Sequence, residues 1–254
     1  LTTTVRPSTV NFSASITPYA LSGSGKISGG SYVNVSGSAP VTFRAANDFS
    51  AGSTLAAGTV LVGNNSALGS GPIILAGSVL SSDSTTARAL TNAVSISADS
   101  TFGVDATSGA LTLSGPVNLG GTSPALTVNN QLALTGAASN GWITKWGVGT
   151  LAFDNPATAL SGVTTVFGGK VVLANGTFNG AFNIAPTLSQ TGVVEIVSAN
   201  VTNTAANNIG VGADAVGVIK QSGGTFVESG TVALGSGAST SAAYLMSDGY
   251  AYFG

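Results

Sequence analysis

An internal repeat constrains this chain more than any single residue does. The segment Phe49–Asn64 aligns without a gap with Leu160–Asn175, at an offset of 111 residues. Five aligned pairs are identical: Ser50/Ser161, Thr54/Thr165, Gly58/Gly169, Val60/Val171 and Asn64/Asn175. Recurrence of this kind indicates stacked structural units and argues against a globule built around one pocket.

Short alternating runs, in which two large apolar residues flank one other residue, occur throughout the chain. This alternation is typical of a strand with one buried face, and the residues that favour helices are scarce. From Leu111 onward the runs begin 16 to 23 residues apart, at Leu111, Leu132, Leu151, Val171, Val194, Val216, Val232 and Tyr250. A step of about 20 residues matches one coil of a parallel β-helix, whereas an antiparallel sandwich would place a turn every ~8–12 residues.

The pattern therefore predicts an all-β fold, a right-handed parallel β-helix (β-solenoid) with coils of about 20 residues. We expect the solenoid to cover residues 41–254, with repeat units near 41–75 and 146–178. Residues 1–40, which include three prolines, are expected to form an N-terminal cap or a strand donated to a partner. Four asparagines beside strands are either corner and ladder residues or ordinary turn residues: Asn64, Asn92, Asn155 and Asn175.

The low charge of the chain restricts its partners. Only 6% of the residues are charged, the net charge is −2, and seven Lys and Arg are scattered along the sequence. No phosphate-binding face can be assembled from them, so nucleic acid is not an expected partner. Weak self-repulsion favours association. We expect a homo-oligomer or polymer formed through the solenoid ends or the N-terminal segment. No apolar run approaches the roughly 20 residues of a membrane-spanning helix.

Catalytic chemistry has few residues to use. The chain contains no histidine and no cysteine, which excludes Ser-His-Asp triads and His or Cys metal ligands. Carboxylates one coil apart are the remaining option, as the pair Glu195 and Asp214 or the pair Glu228 and Asp248. Asp214 also lies in a segment that resembles one calcium-binding nonapeptide, but that motif works in tandem. We predict no catalytic, cofactor-binding or metal-binding residues and no enzyme activity.

Two segments, Val41–Leu75 and Trp146–Phe178, resemble the autotransporter-associated β-strand repeat, also called the passenger-associated transport repeat. The second segment departs from the repeat pattern at Pro156. The tail from Gln221 onward resembles a second class of β-solenoid repeat. Residues that match the first repeat pattern are Asn47, Phe49, Ser50, Gly58, Val62, Gly63 and Asn64, followed by Gly147, Gly149, Thr150 and Leu151.

This resemblance implies a secreted or surface-displayed β-solenoid of a bacterium, Gram-negative by the usual occurrence of such passengers. The chain begins with Leu and stops within a strand-like pattern, so we expect a processed chain or a piece of a longer one. The leading hypothesis is an extracellular structural protein, a self-associating subunit of a filament, sheath or surface layer. The alternative is an adhesin-type passenger that binds glycans or host surfaces, with Tyr244, Tyr250 and Tyr252 as its interaction surface.

Overall fold

The computed structural model describes residues 1–254, and it contains 29 β-strands and no helix. The strands are β1 (Thr9–Phe12), β2 (Tyr19–Leu21), β3 (Tyr32–Val35), β4 (Val41–Phe43), β5 (Gly52–Leu55), β6 (Thr59–Val62), β7 (Ile73–Ala76), β8 (Val79–Ser82), β9 (Arg88–Leu90), β10 (Val94–Ala98), β11 (Ser100–Phe102), β12 (Leu111–Leu113), β13 (Val117–Thr122), β14 (Ala125–Val128), β15 (Gln131–Leu134), β16 (Ala138–Gly141), β17 (Thr144–Trp146), β18 (Thr150–Phe153), β19 (Ala159–Ser161), β20 (Thr164–Val166), β21 (Gly169–Leu173), β22 (Thr177–Asn179), β23 (Phe182–Ile184), β24 (Thr191–Ile196), β25 (Asn200–Asn203), β26 (Asn207–Ile209), β27 (Val216–Glu228), β28 (Val232–Leu234) and β29 (Ser241–Phe253).

All strand pairings are parallel, and they stack the strands into three sides of a prism. Side 1 contains β1, β3, β5, β7, β10, β13, β16, β19, β22, β25 and the second halves of β27 and β29. Side 2 contains β2, β4, β6, β8, β11, β14, β17, β20, β23, β26 and β28. Side 3 contains β9, β12, β15, β18, β21, β24 and the first halves of β27 and β29. The predicted parallel β-solenoid is confirmed, with about 11 coils of ~22 residues.

Residues 1–40 lie in the same stack as the coils that follow them. Strand β1 pairs in parallel with β3, and β2 pairs in parallel with β4. In the first coils the third side is an irregular segment, closed by a single bridge between Val5 and Ile27. The segment that we expected to be a cap or a donated strand is thus paired within its own chain.

The interior is a continuous apolar column because each inward residue stacks on its equivalent in the next coil. On side 3, Leu111, Leu132, Leu151, Val171 and Val194 are consecutive partners, as the spacing of the alternating runs predicts. All five are at most 1% exposed. Burial of one such side chain contributes about 1.5–3 kcal/mol, and 45 buried residues form this one cluster.

The predicted spacing is wrong for the next member of the column. Val194 pairs with Ile219, whereas Val216 lies three residues earlier, pairs with Thr191 and is a half-buried, outward-facing residue. The reason is that Gly217 occupies an inward position, so the large residues around it are not the buried ones. From this point the coils keep a constant 25-residue register, shown by the pairs Val194–Ile219 and Ile219–Tyr244.

The two copies of the internal repeat adopt the same local structure on different sides. In the first copy, a turn at Gly58 joins side 1 to side 2; in the second copy, a turn at Gly169 joins side 2 to side 3. Both glycines have φ of +67°, a conformation that only glycine adopts without strain. The offset of 111 residues therefore equals five coils plus one side.

The asparagines that the sequence places beside strands lie at the corners of the coils, at Asn64, Asn92, Asn155 and Asn175. The Asn155 side chain accepts a hydrogen bond from the Ala157 backbone N–H (2.9 Å) and donates one to the Thr135 carbonyl (2.7 Å) in the coil below. Asn92 is buried and donates to the Gly71 carbonyl at 2.6 Å. Asn92 and Asn155 therefore join consecutive coils at their corners.

Candidate functional site

The last coil presents the largest group of exposed apolar side chains. Leu234, Leu245, Met246, Tyr250, Tyr252 and Phe253 are each about half exposed. They lie on β28 and β29, and the outer edge of β29 has no partner strand in the structure. Unpaired strand edges with apolar side chains are templates for pairing with another chain. We call this group the end surface.

The three tyrosines predicted as an interaction surface do not all share this exposure. Tyr250 and Tyr252 are 57% and 51% exposed and project from side 1. Tyr244 lies on side 3, where its ring stacks on Phe226 with a centroid distance of 5.7 Å and its hydroxyl donates to the Gln221 side chain. Burial raises the pKa of Tyr244 above its usual value. The structure therefore brings together Tyr250 and Tyr252, and it places Tyr244 against the core.

The carboxylate pair Glu195 and Asp214 is not assembled. Glu195 lies on the outside of side 3, 3.1 Å from the Lys170 amine and in register with Lys220. Asp214 lies in the turn before β27 with φ of +54°. A glycosidase needs two carboxyl groups about 5–9 Å apart, one of them a proton donor. Here Glu195 has Val172 below it and Lys220 above it in its column, and its carboxylate is ion-paired with Lys170.

The second pair, Glu228 and Asp248, is not assembled either. Glu228 is buried and accepts hydrogen bonds from the side chains of Asn203 (2.8 Å) and Asn207 and from the Gly230 backbone N–H (2.6 Å). Its partner in the next coil is Phe253. A buried carboxylate with three donors is a structural element, because every donor would otherwise lose its partner.

Most of the charge is paired or hidden. Seven of the sixteen charged side chains lie in ion pairs, and two more, Lys145 and Glu228, are buried. Burial alone would raise the pKa of Asp83, but hydrogen bonds from the Arg44 and Arg88 guanidinium groups lower it below its usual value.

No three His, Cys, Asp or Glu side chains lie close enough together to hold a metal ion. No helix in the structure is long and apolar enough to cross a membrane.

Lys145 is the one lysine whose side chain points into the solenoid. It occupies an inward position of β17 between Leu126 and Val166, and it is 0% exposed. Its amine donates hydrogen bonds to the carbonyls of Trp146 (2.8 Å), Gly147 (2.7 Å) and Gly168 (3.1 Å). Burial lowers the pKa of this amine to about 8. The amine joins two successive corners of the stack.

Three residues of β17 and of the segment before it face outward, away from the interior: Trp142, Thr144 and Trp146. We call them the tryptophan row. The two indoles are 37% and 40% exposed. Trp146 stacks on Phe167 of the next coil, with ring centroids 3.9 Å apart and ring planes at 7°. The row is absent from the sites predicted from the sequence. Its signal was available, because the chain has only two tryptophans and they lie four residues apart.

Comparison with family models, with curated proteins and with solved structures finds no match for this chain. The class that the structure defines is that of the parallel β-solenoids.

Proposed function

We propose that this chain is an extracellular structural protein of a bacterial surface, a self-associating subunit of a filament, sheath or surface layer. The observation that carries the proposal is a stack of about 11 coils in which only 6% of the residues are charged, and nine of the sixteen charged side chains are ion-paired or buried. Such surfaces have little electrostatic repulsion to overcome when two copies approach. The resemblance to the passenger-associated repeat supports secretion and a Gram-negative source.

The contact between copies is proposed to form at the end surface and to be covered by a second copy. The opposite edge of the stack carries Pro7 and Pro18, which have no backbone N–H to donate to an added strand. Strand β29 is 13 residues long and contains no proline. Of the two edges that residues 1–254 present, the β29 edge is therefore the better template for strand addition, and its apolar side chains favour burial.

Sedimentation velocity across a range of protein and salt concentrations, with negative-stain electron microscopy, tests the proposal. The wild-type chain is expected to form oligomers or fibres, and salt should have little effect on them because few exposed charges take part. The double variant Leu245→Lys/Tyr252→Lys should remain monomeric. The matched control is Thr112→Lys/Ala152→Lys, which adds the same charge to the middle of side 3.

A wild-type chain that stays monomeric under all conditions would refute self-association. Loss of assembly in the control with retention in the end variant would refute the end contact and indicate association through the sides.

The second candidate is an adhesin-type passenger that binds glycans or host surfaces. It is favoured by Tyr250 and Tyr252, whose side chains are 57% and 51% exposed. Amphipathic aromatic rings are frequent anchors at binding surfaces. Glycan-array binding that is lost in Tyr250→Ala/Tyr252→Ala would support it, and unchanged binding in that variant would exclude these residues.

We also propose that the chain is not an enzyme. The absence of histidine and cysteine and the separation of the two candidate carboxylate pairs support this. Detectable hydrolysis or lyase activity on a panel of acidic and neutral polysaccharides would contradict it.

A further inference from the structure

The tryptophan row is a surface that the fold itself does not require. A solenoid coil is specified by its inward residues and its corners, and outward positions on these strands are mostly Thr, Ser, Asn and Ala. Placing two large indoles on the outside leaves apolar area in contact with water, which is unfavourable unless something covers it. Both tryptophans of the chain occupy this one strand and its approach.

The geometry of the first indole is that of a flat platform. Trp142 lies beside Gly162 of the next coil, and a Cβ built on Gly162 would be 2.9 to 3.0 Å from three of its ring atoms. A point that close to three neighbouring ring atoms lies over the ring and not beside it. One face of the indole thus rests on the bare glycine backbone, and the opposite face is directed away from it.

The second indole also has an uncovered face. One face of Trp146 is covered by the Phe167 ring. The residue in the same column of the coil below is Thr127, which is too small to cover the other face. Trp142 lies two residues before β17, and four residues of extended chain span at most about 13 Å. That distance is therefore the upper limit of the backbone separation of the two indoles, with Thr144 between them.

The row is held in place from the inside. The buried Lys145 amine binds the carbonyl of Trp146 and the carbonyls of the two corners that follow Trp146 and Phe167. An amine at an inward position costs desolvation that Leu or Val would not. Its effect is to fix the backbone that carries the stacked rings, and preorganisation of this kind lowers the entropic cost of binding.

We infer that the tryptophan row binds a neutral glycan chain, with a pyranose ring on the open face of each indole. Aromatic faces are electron-rich and attract the polarised C–H groups of a sugar ring. The Thr144 hydroxyl between the indoles is hydrogen-bonded to the Ser123 hydroxyl at 2.7 Å and keeps acceptor capacity for a sugar hydroxyl, and Thr165 lies above it in the next coil. The inference rests on the second proposed function, that the chain binds glycans, and it assigns that function to a site other than the tyrosines.

Charge excludes the other class of ligand that stacks on aromatic rings. Nucleic acid bases stack in the same manner, but their phosphates require a positively charged groove. The outward positions of β14, β17, β20 and β23 carry no charged side chain: Ala125, Thr127, Thr144, Trp146, Thr165 and Asn183. The nearest amine in the strand, Lys145, points inward. An uncharged ligand therefore fits this side, and an acidic one does not.

Titration of the full chain with cellohexaose, mannohexaose and laminarihexaose, followed by intrinsic fluorescence and calorimetry, tests the inference. Because both tryptophans lie in the row, binding there should change the fluorescence directly. Trp142→Ala and Trp146→Ala should each weaken binding by about tenfold or more. Tyr250→Ala/Tyr252→Ala is the matched control and should bind as the wild type does. Thr144→Glu leaves both rings in place and should also weaken binding.

Three results would overturn the inference. Binding that is lost in the tyrosine variant and kept in the tryptophan variants would leave glycan binding intact but move it to the end surface. Failure of the wild type to bind any of the three hexasaccharides would refute a neutral-glycan site. Self-association is measured separately by sedimentation, and this result would not affect it. Tight binding of single-stranded DNA to the row, lost in Trp146→Ala, would show that the charge argument is wrong. Thermal unfolding of each variant shows whether a loss of binding is a loss of fold.

Discussion

Replacement of Lys145 by methionine should remove a pH dependence from the stability of the solenoid. The amine is fully buried, and burial lowers its pKa from 10.5 to about 8 in the folded chain. Below both values it is charged in the folded and the unfolded states. As pH rises through about 8, the folded state loses its proton first, so the unfolded state binds more protons and the free energy of unfolding increases.

The size of the effect follows from the two pKa values. Complete titration from 10.5 to about 8 corresponds to about 3 kcal/mol, since one pKa unit is worth about 1.4 kcal/mol. Between about pH 7 and about pH 9.5 the linkage relation gives an increase of about 2 kcal/mol. The three carbonyls that accept from the ammonium favour its charged form and act against this increase, so about 2 kcal/mol is the upper bound.

Urea unfolding at a series of pH values, followed by circular dichroism, measures this increase. The wild-type curve should rise across the window, and the Lys145→Met curve should not, so the difference between them isolates the amine from other titrating groups. The control is Lys220→Met, which removes an exposed lysine of β27 and should leave the rise unchanged. A wild-type curve that is parallel to that of Lys145→Met would show that the carbonyls offset the burial completely, and the reasoning would fail.

Four further substitutions test the packing of the stack. Phe153→Ala removes a fully buried ring and should lower the free energy of unfolding by about 3–5 kcal/mol in urea titrations; a loss near that of a surface substitution would mean that the interior is not close-packed. Glu228→Gln places an NH2 group against at least one of the three N–H donors that the carboxylate accepts from, and should cost about 1–3 kcal/mol in the same assay, with Glu195→Gln on the surface as the control. Gly58→Ala and Gly169→Ala place a Cβ 2.5 Å and 2.4 Å from a carbonyl oxygen of the preceding coil at φ of +67°, so each should lower the melting temperature; equal effects would confirm that the two repeat copies are structurally equivalent, and unchanged melting would contradict the strained geometry.

The fold class could be predicted from the sequence because the residues of the inward column are large and apolar and alternate with outward residues along each strand. Leu111, Leu132, Leu151, Val171 and Val194 are large residues at inward positions, and their spacing is the coil length. An alternating run, in which two large residues flank one other residue, does not indicate which side of the prism the strand belongs to. For that reason the sequence spacing places Val232, which lies on side 2, and Tyr250, which lies on side 1, in a series that belongs to side 3.

The polar interior could not be predicted in this way. Asn47, Lys145 and Glu228 are buried, and their polar atoms bind backbone N–H or carbonyl groups at turns and irregular segments, where these groups have no strand partner. Each side chain satisfies groups in two or three segments that are distant in sequence. A polar residue at such a position looks the same in the sequence as a polar residue on the surface, because only the path of the neighbouring coils decides which groups it can reach.

The offset of the internal repeat distinguishes the residues that the fold requires from the outward residues that it does not constrain. The same strand, glycine turn and strand recur on sides 1 and 2 in one copy and on sides 2 and 3 in the other, so the motif specifies a corner and not a particular side. Any side can therefore be built from the same inward residues, and its outward residues are free to differ. On side 2 these are Trp142, Thr144 and Trp146, and packing of the solenoid does not account for two exposed indoles. The fold does not require large apolar side chains at these outward positions, and their exposure to water is unfavourable. Binding of a ligand is therefore the physical explanation to test first.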